Sequence, residues 1–136
     1  MRACNLTITT AVDGNEQEFK TKGEMELSLH SAILRYREQN AITQLTLEGN
    51  RAKVRREGDY TLFLELEAQT LTDGSLGIGG GEGEIKTYTH KVEYSVGKDS
   101  LLAVLHYDLI IGGEKQEMKL RILARAEKTK EENRCR

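Results

Sequence analysis

Apolar residues recur at alternate positions along most of this chain, and short glycine-bearing turns interrupt the pattern. The cleanest run is Leu101, Ala103, Leu105, Tyr107, Leu109 and Ile111, with His106 and Asp108 on the opposite phase. A period of two over that length describes a strand with one covered face, since a helix would repeat near 3.6. Runs of this kind return roughly every 10 residues with turns between them, which reads as an antiparallel all-β sandwich or barrel.

The runs can be followed in order. Leu6, Ile8, Thr10 and Val12 form the first, closed by Asp13-Gly14-Asn15, a hairpin turn of the Asp-Gly type. Phe19 and Thr21 resume it, and Gly23 suggests a bulge or bend before Met25, Leu27 and Leu29. Between Ser31 and Gln39, Leu34, Tyr36 and Glu38 share one phase while Ile33, Arg35 and Arg37 share the other. Gly49-Asn50 turns Thr43, Leu45 and Leu47 into Ala52, Val54 and Arg56, a tight hairpin. Glu57-Gly58-Asp59 leads on to Leu62, Leu64 and Leu66.

From Ala68 to Gly83 the alternation fades and glycine becomes dense. Ile85, Thr87 and Thr89 then precede Val92, Tyr94 and Val96, and the change of phase near His90 predicts a kink or bulge there. Gly97-Lys98-Asp99 and Gly112-Gly113 bound the long run, and Met118, Leu120, Ile122 and Ala124 follow. Leu120, Leu123 and Ala124 also fit a helical spacing, but the reading favours strand to about Ala124, then a short helix or fray.

These runs amount to roughly eight to ten strands joined by short connections. A single antiparallel up-and-down barrel leaves no sheet edge unpaired, and it needs only short connections; Greek-key crossings need longer ones. The complete absence of proline agrees with a continuously paired ladder. The expected organisation is a barrel over residues 1–126 and a charged C-terminal tail over 127–136.

A chain of 136 residues suits one domain that needs neither a disulfide nor a metal to hold it. Charged residues make up 31% of it, yet the net charge is −2, a mixed surface that argues against a nucleic-acid binder. No apolar stretch approaches the run of about 18 residues that spans a membrane, and no leader is apparent, so a cytoplasmic location is expected. Cys4 and Cys135 are then expected as reduced thiols, although a closed barrel would make the two ends neighbours.

Several motifs invite chemistry and do not sustain it. In the glycine-rich segment, Glu82 stands at the third glycine of a G-x-G-x-x-G pattern begun at Gly77, and Glu84 does so for Gly79. A flexible connection or a lid at the barrel mouth is the better expectation for that segment. His30, His90 and His106 form no paired-ligand spacing, and His106-x-Asp108 falls on a phase expected to face solvent, so no metal is expected. No cofactor is expected, and no G-x-S-x-G elbow is present. The basic cluster Arg51 to Arg56 reads as a solvated edge, with Arg51, Lys53 and Arg55 facing one way.

Arg56 and Glu38 stand apart because they share their phases with Val54 and Tyr36 and so point inward. A charge inside a barrel is expensive unless it is paired or wet. The two either pair across the lumen or line a polar cavity in which the arginine fork recognises a ligand.

Five stretches then point to a family: Gly23-Glu24-Met25-Glu26-Leu27, Leu34-Arg35-Tyr36-Arg37-Glu38, Val54-Arg55-Arg56-Glu57-Gly58, Gly83 to Thr89, and Leu105-His106-Tyr107-Asp108-Leu109. In that order they resemble the YwiB-like bacterial proteins, from about Leu6 to Ala124. The resemblance implies a calycin-type, lipocalin-like β-barrel in a bacterial cytoplasm and brings no established activity or catalytic residue with it. The Gly-x-Trp signature of true lipocalins is missing, since the chain has no tryptophan.

Three functional readings follow. The first is a non-enzymatic barrel binding a small, partly apolar ligand in its lumen, lined by Tyr36, Glu38, Arg56, Thr87, Tyr94 and Tyr107. The second is a packed barrel that works through its outer surface as an interaction module or homodimer, using Ile33, Leu102, Val104, Ile110 and Leu123. The third is an enzyme with Glu38 as acid or base beside Arg56.

Overall fold

Every alternating run becomes a strand in the computed structural model, which describes residues 1–127. The strands are β1 (Arg2–Val12), β2 (Asn15–Leu27), β3 (Ser31–Glu38), β4 (Ala41–Glu48), β5 (Arg51–Glu57), β6 (Tyr60–Glu67), β7 (Thr70–Ile78), β8 (Gly81–Val96), β9 (Ser100–Ile111) and β10 (Glu114–Ala126). Each pairs antiparallel with the next, and β1 closes on β10, making one up-and-down barrel of ten strands. Closure sets Leu6 opposite Ala124 and Ile8 opposite Ile122. Closure gives each strand two neighbours, although β2 meets β3 only over Gly23–Leu27 and β6 meets β7 only over Tyr60–Phe63.

The turns sort to two ends. Those after β1, β3, β5, β7 and β9 form one end, here the mouth. Those after β2, β4, β6 and β8 form the other, the base, where β1 starts and β10 finishes. Toward the base the inward side chains are aliphatic and fully buried: Met25, Leu34, Leu45, Leu64, Leu66 and Leu105 are each at most 1% exposed. Burying one such side chain contributes about 1.5–3 kcal/mol. Large residues face small ones across the ladders, Leu47 between Ala32 and Ala52 and Ala103 beside Ile122. That alternation lets ten inward faces interdigitate without a void.

The phase change near His90 is a β-bulge. Thr89 pairs with Tyr107 and Lys91 with His106, so His90 is the extra residue. Its insertion transfers the inward set from Ile85, Thr87 and Thr89 to Val92, Tyr94 and Val96, which keeps both halves of the longest strand facing the core.

Several expectations need correction. The glycine-rich segment is neither a flexible connection nor a lid: it supplies β7, the Gly79-Gly80 turn and the start of β8. Glycine has no hydropathy with which to report a phase, and here it permits close packing. A Cβ on Gly74 would lie 2.5 Å from the Phe63 carbonyl oxygen. Gly23 marks no bulge, because β2 holds its register with β1 throughout, and its missing side chain admits the β3 backbone instead. Strand, not helix, continues through Ala126. Arg51, Lys53 and Arg55 lie on the outer face of a strand paired on both sides, so there is no edge there, and Glu67 neutralises Arg51 at 2.7 Å. Asp108 is not solvent-facing, being 8% exposed. Glu127, the first residue of the expected tail, donates its amide to the Ala3 carbonyl, while the rest of that tail and Cys135 lie outside the described residues. No helix among the described residues is long and apolar enough to cross a membrane.

Candidate functional site

Near the mouth the inward positions of β3, β4 and β5 turn polar, whereas Leu62, Leu76, Leu109, Met118 and Leu120 continue the aliphatic lining on β6, β7, β9 and β10. Tyr36, Thr43 and Arg56 stand side by side on β3, β4 and β5, because each is the register partner of the next. On the facing wall Thr89 pairs with Tyr107, and Thr87 lies one inward step along β8 from Thr89. Glu38 is the last inward residue of β3, directly above Tyr36. The inward phase of three hairpins therefore meets at one end of the barrel.

Arg56 is the organising group. Its side chain is only 12% exposed, and all three guanidinium nitrogens are engaged. Nε donates to Glu38 at 3.4 Å, one terminal nitrogen to the Tyr60 carbonyl at 3.0 Å, and the other to Asp59 at 3.0 Å. The guanidinium carbon sits 3.7 Å from the centroid of the Tyr60 ring, within cation–π range. Two carboxylates and one ring thus hold the planar fork in a single pose. The hydrogen bond from Arg56 holds the Asp59 carboxyl below its usual range.

Beneath that pair the lining is hydroxylic. Burial, followed by the charge of Glu38 and the neighbouring Tyr107, pushes the Tyr36 phenol well above its ordinary range. Burial likewise pushes the Tyr107 phenol up to about 12, with Tyr60 adding to the effect. Both are therefore neutral hydroxyls at physiological pH. Thr43, Thr87 and Thr89 are 4%, 0% and 0% exposed, and none of their hydroxyls has a hydrogen-bond partner. Thr43 stands beside the Tyr36 phenol without bonding it in good geometry. An unpaired buried hydroxyl costs about 1–3 kcal/mol, so three in one half of one barrel is a local concession of stability.

Above these groups a cleft of about 480 Å³ opens at the mouth. Thr10, Gln17 and Phe19 line it from the β1–β2 hairpin, Glu38, Gln39 and Asn40 from β3 and its turn, and Arg56 and Asp59 from β5 and the following turn. Phe19 lies on the inward phase of β2, yet it is 37% exposed because the hairpin that carries it rises to the rim.

Of the six residues expected in the lumen, Glu38 and Arg56 line this cleft, while Tyr36, Thr87 and Tyr107 face inward and are buried. Tyr94 is not with them. It belongs to the base, where its hydroxyl donates to the His30 carbonyl at 2.7 Å and ties the β2–β3 turn across that end. Glu38 and Arg56 adjoin as expected, 3.4 Å apart. Thr10, Phe19, Thr43 and Thr89 stand on the alternating runs read from the sequence but were not expected as site residues, and the cleft residues Gln17, Gln39, Asn40 and Asp59 were not expected at all. Thr43 could be found by following the phase of Leu45 back to the strand end; the turn residues carry no such signal.

On the outer wall the bulge brings His90 and His106 together, ring centroids 4.6 Å apart. His90 Nε2 lies 2.8 Å from Asp108 and His106 Nε2 lies 3.2 Å from Glu117. These contacts absorb the His106-x-Asp108 pair, and no group of three or more potential ligands among the described residues could hold a metal ion. Of the outer apolar residues, Leu102 sits opposite Leu123 with Val104 next along β9, whereas Ile33 is on β3, across the barrel.

The model of a domain of unknown function, DUF1934, matches residues 3–122. Among solved structures, the crystal structure of ywiB protein from Bacillus subtilis superposes with a TM-score of 0.80 at 19% sequence identity, over 93% of each chain. At that identity the likeness concerns the fold alone. The comparison with curated proteins returns no match.

Proposed function

This chain belongs to the DUF1934 family, domains of unknown function, and from that premise we propose that it is a cytoplasmic binding protein whose mouth cleft holds one small molecule. One observation carries the reading: a cleft of about 480 Å³ whose polar walls come from three separate hairpins and which holds the fixed Arg56 guanidinium and the Phe19 ring. Small-molecule sites run from about 300 to 1,000 Å³ with a few convergent polar groups.

The arrangement suits binding better than turnover. Glu38 and Asp59 both serve a single guanidinium, so the acidic groups of the cleft are committed to holding Arg56 in place. Arg56 then acts as a rigid wall between the Tyr60 ring and the cleft.

Native mass spectrometry of the purified protein after incubation with a bacterial metabolite extract tests this. A stoichiometric adduct is expected, lost on denaturation and weakened in Phe19→Ala. Equal adducts on wild type and Phe19→Ala, or none on either, would defeat the cleft. A second reading, self-association through the outer wall, rests on the facing pair Leu102 and Leu123. The same spectrum would report it as a dimer that Leu102→Lys abolishes.

A further inference from the structure

We propose that the β1–β2 hairpin is a dimerisation edge, on which β2 pairs antiparallel with β2 of a second copy of this chain, whether or not the cleft holds a ligand. Lateral pairing is incomplete at this place. β2 and β3 are in register only from Gly23↔Tyr36 to Leu27↔Ala32. Carrying that register on sets Lys20 opposite Gln39, which already belongs to the β3–β4 turn. Thr21 ends the contact, its hydroxyl donating to the Arg37 carbonyl at 3.0 Å. Asn15–Lys20 therefore outruns β3, pairs with β1 alone, and is exposed on both faces. Its open side has backbone groups to offer. The Ser28 amide donates to the Ser31 carbonyl at 2.9 Å, and hydrogen-bonded positions recur at every second residue of an antiparallel ladder. The N–H and C=O groups of Glu16, Glu18 and Lys20 consequently point away from β1 toward a missing neighbour. Edges of this kind recruit a further strand unless something blunts them.

The side chains identify that neighbour as β2 itself. Glu16, Glu18, Lys20 and Lys22 occupy the outer face, acids first and bases after. Antiparallel pairing about a two-fold axis at Phe19 sets Glu18 opposite Lys20 and Glu16 opposite Lys22 on both sides of the axis. Moving the axis by one residue puts Glu18 on Glu18 or Lys20 on Lys20. Moving it by a further residue puts Glu16 on Glu18 or Lys20 on Lys22. Parallel pairing in register stacks like on like throughout. Like charges directly opposite are destabilising, so the register centred on Phe19 is the one that satisfies the whole face. In it Glu18 and Lys20 exchange backbone hydrogen bonds on either side of the axis. The Phe19 residues then form a non-hydrogen-bonded pair, where Cα atoms come within about 4.5 Å and side chains are closest. Phe19 is 37% exposed in the single barrel, and the ring of the second copy covers it as an aromatic cross-strand pair. Lys22 already meets Glu127 at 3.0 Å, which makes Glu18 and Lys20 the cleaner probes.

The test follows the oligomeric state of the intact protein by sedimentation equilibrium and the position of the contact by amide hydrogen exchange. A monomer–dimer equilibrium is expected, with the amides of Glu18 and Lys20 gaining protection as concentration rises. Glu18→Lys and Lys20→Glu each set like charges opposite one another, and each alone should weaken the dimer by about tenfold or more. Mixed together, the variants regain complementarity, because the acids of one face the bases of the other. Native mass spectrometry with one variant isotope-labelled should then show the mixed dimer in excess of both homodimers. Both reversals in one chain should restore the homodimer. These side chains do not line the cleft, so ligand adducts remain a separate readout. A monomer at every accessible concentration would overturn the proposal, whatever the cleft binds. So would a dimer whose Glu18 and Lys20 amides stay unprotected, or a mixture that forms no mixed dimer. A dimer that Leu102→Lys abolishes and charge reversal leaves intact would overturn the edge in favour of the outer wall.

Discussion

The two halves of this barrel share strands, alternation and closure, yet they are lined by different chemistry. Toward the base, Leu34, Leu45 and Leu64 face inward at 0–1% exposure, with alanines filling the gaps between large neighbours. Toward the mouth, the same strands present Tyr36, Thr43 and, one strand on, Arg56. The base follows the rule that interiors are apolar and close-packed. The mouth departs from it with three unpaired hydroxyls and a covered ion pair. Departures of that kind concentrate where a protein meets something else, because local rules are broken at functional sites and compensated elsewhere. Here the compensation is the aliphatic base.

That contrast can be broken at its strong end first. Leu105→Ala removes a fully buried side chain from the base and should lower stability by about 3 kcal/mol, read as a fall in the urea midpoint. A loss as small as that of an exposed substitution would mean the base is loosely packed. Next comes the seam between the halves. A Cβ on Gly23 would lie 2.2 Å from the Arg35 carbonyl oxygen and 3.0 Å from the Tyr36 Cβ, so Gly23→Ala must push β3 outward. A loss of about 2 kcal/mol is expected in chemical denaturation, with the amide resonances of Arg35 and Tyr36 moving most.

The polar half predicts a change of the opposite sign. Thr87→Val replaces an orphaned hydroxyl with a methyl of nearly the same size and should raise stability by about 1 kcal/mol, visible as a higher Tm. A drop in Tm would show that the hydroxyl has a partner in solution, a bound water being the simplest.

The smallest effect lies at the rim. The ordinary carboxyl value for aspartate is 3.8, and Arg56 holds Asp59 below it. A depressed folded-state value contributes stability that is present above the unfolded value and disappears as pH falls through the folded one. Asp59→Asn should therefore lower the urea midpoint slightly at pH 7, and the gap to wild type should narrow as pH falls below 3.8. Added salt should shrink it as well, because the carboxylate is solvent-exposed.

What could be read from residues alone follows from where hydropathy alternates. The hairpin at Gly49-Asn50, the inward phase of Arg56 and Glu38, and the irregularity at His90 were all legible, since each leaves a mark on the period-two pattern. The strand over Thr70–Ile78 was not. Gly74 and Gly77 have no side chain with which to declare a face, and backbone pairing with β6 and β8 decides the matter. Tyr94 was misplaced for a related reason: phase says which face a side chain takes but not which end of a barrel it occupies. β8 runs from mouth to base, so Tyr94 near its end lies at the base, tied to His30.

The sequence by itself determined an all-β, up-and-down chain of eight to ten strands with two charges facing inward, because alternation and turn chemistry act over neighbouring residues. Only the tertiary structure decided that Thr10, Glu38 and Asp59 share one cleft, that His90 meets His106, and that three threonine hydroxyls go without partners. Those facts depend on register and closure. They are set by the whole ring of strands at once, and no local stretch of residues carries them.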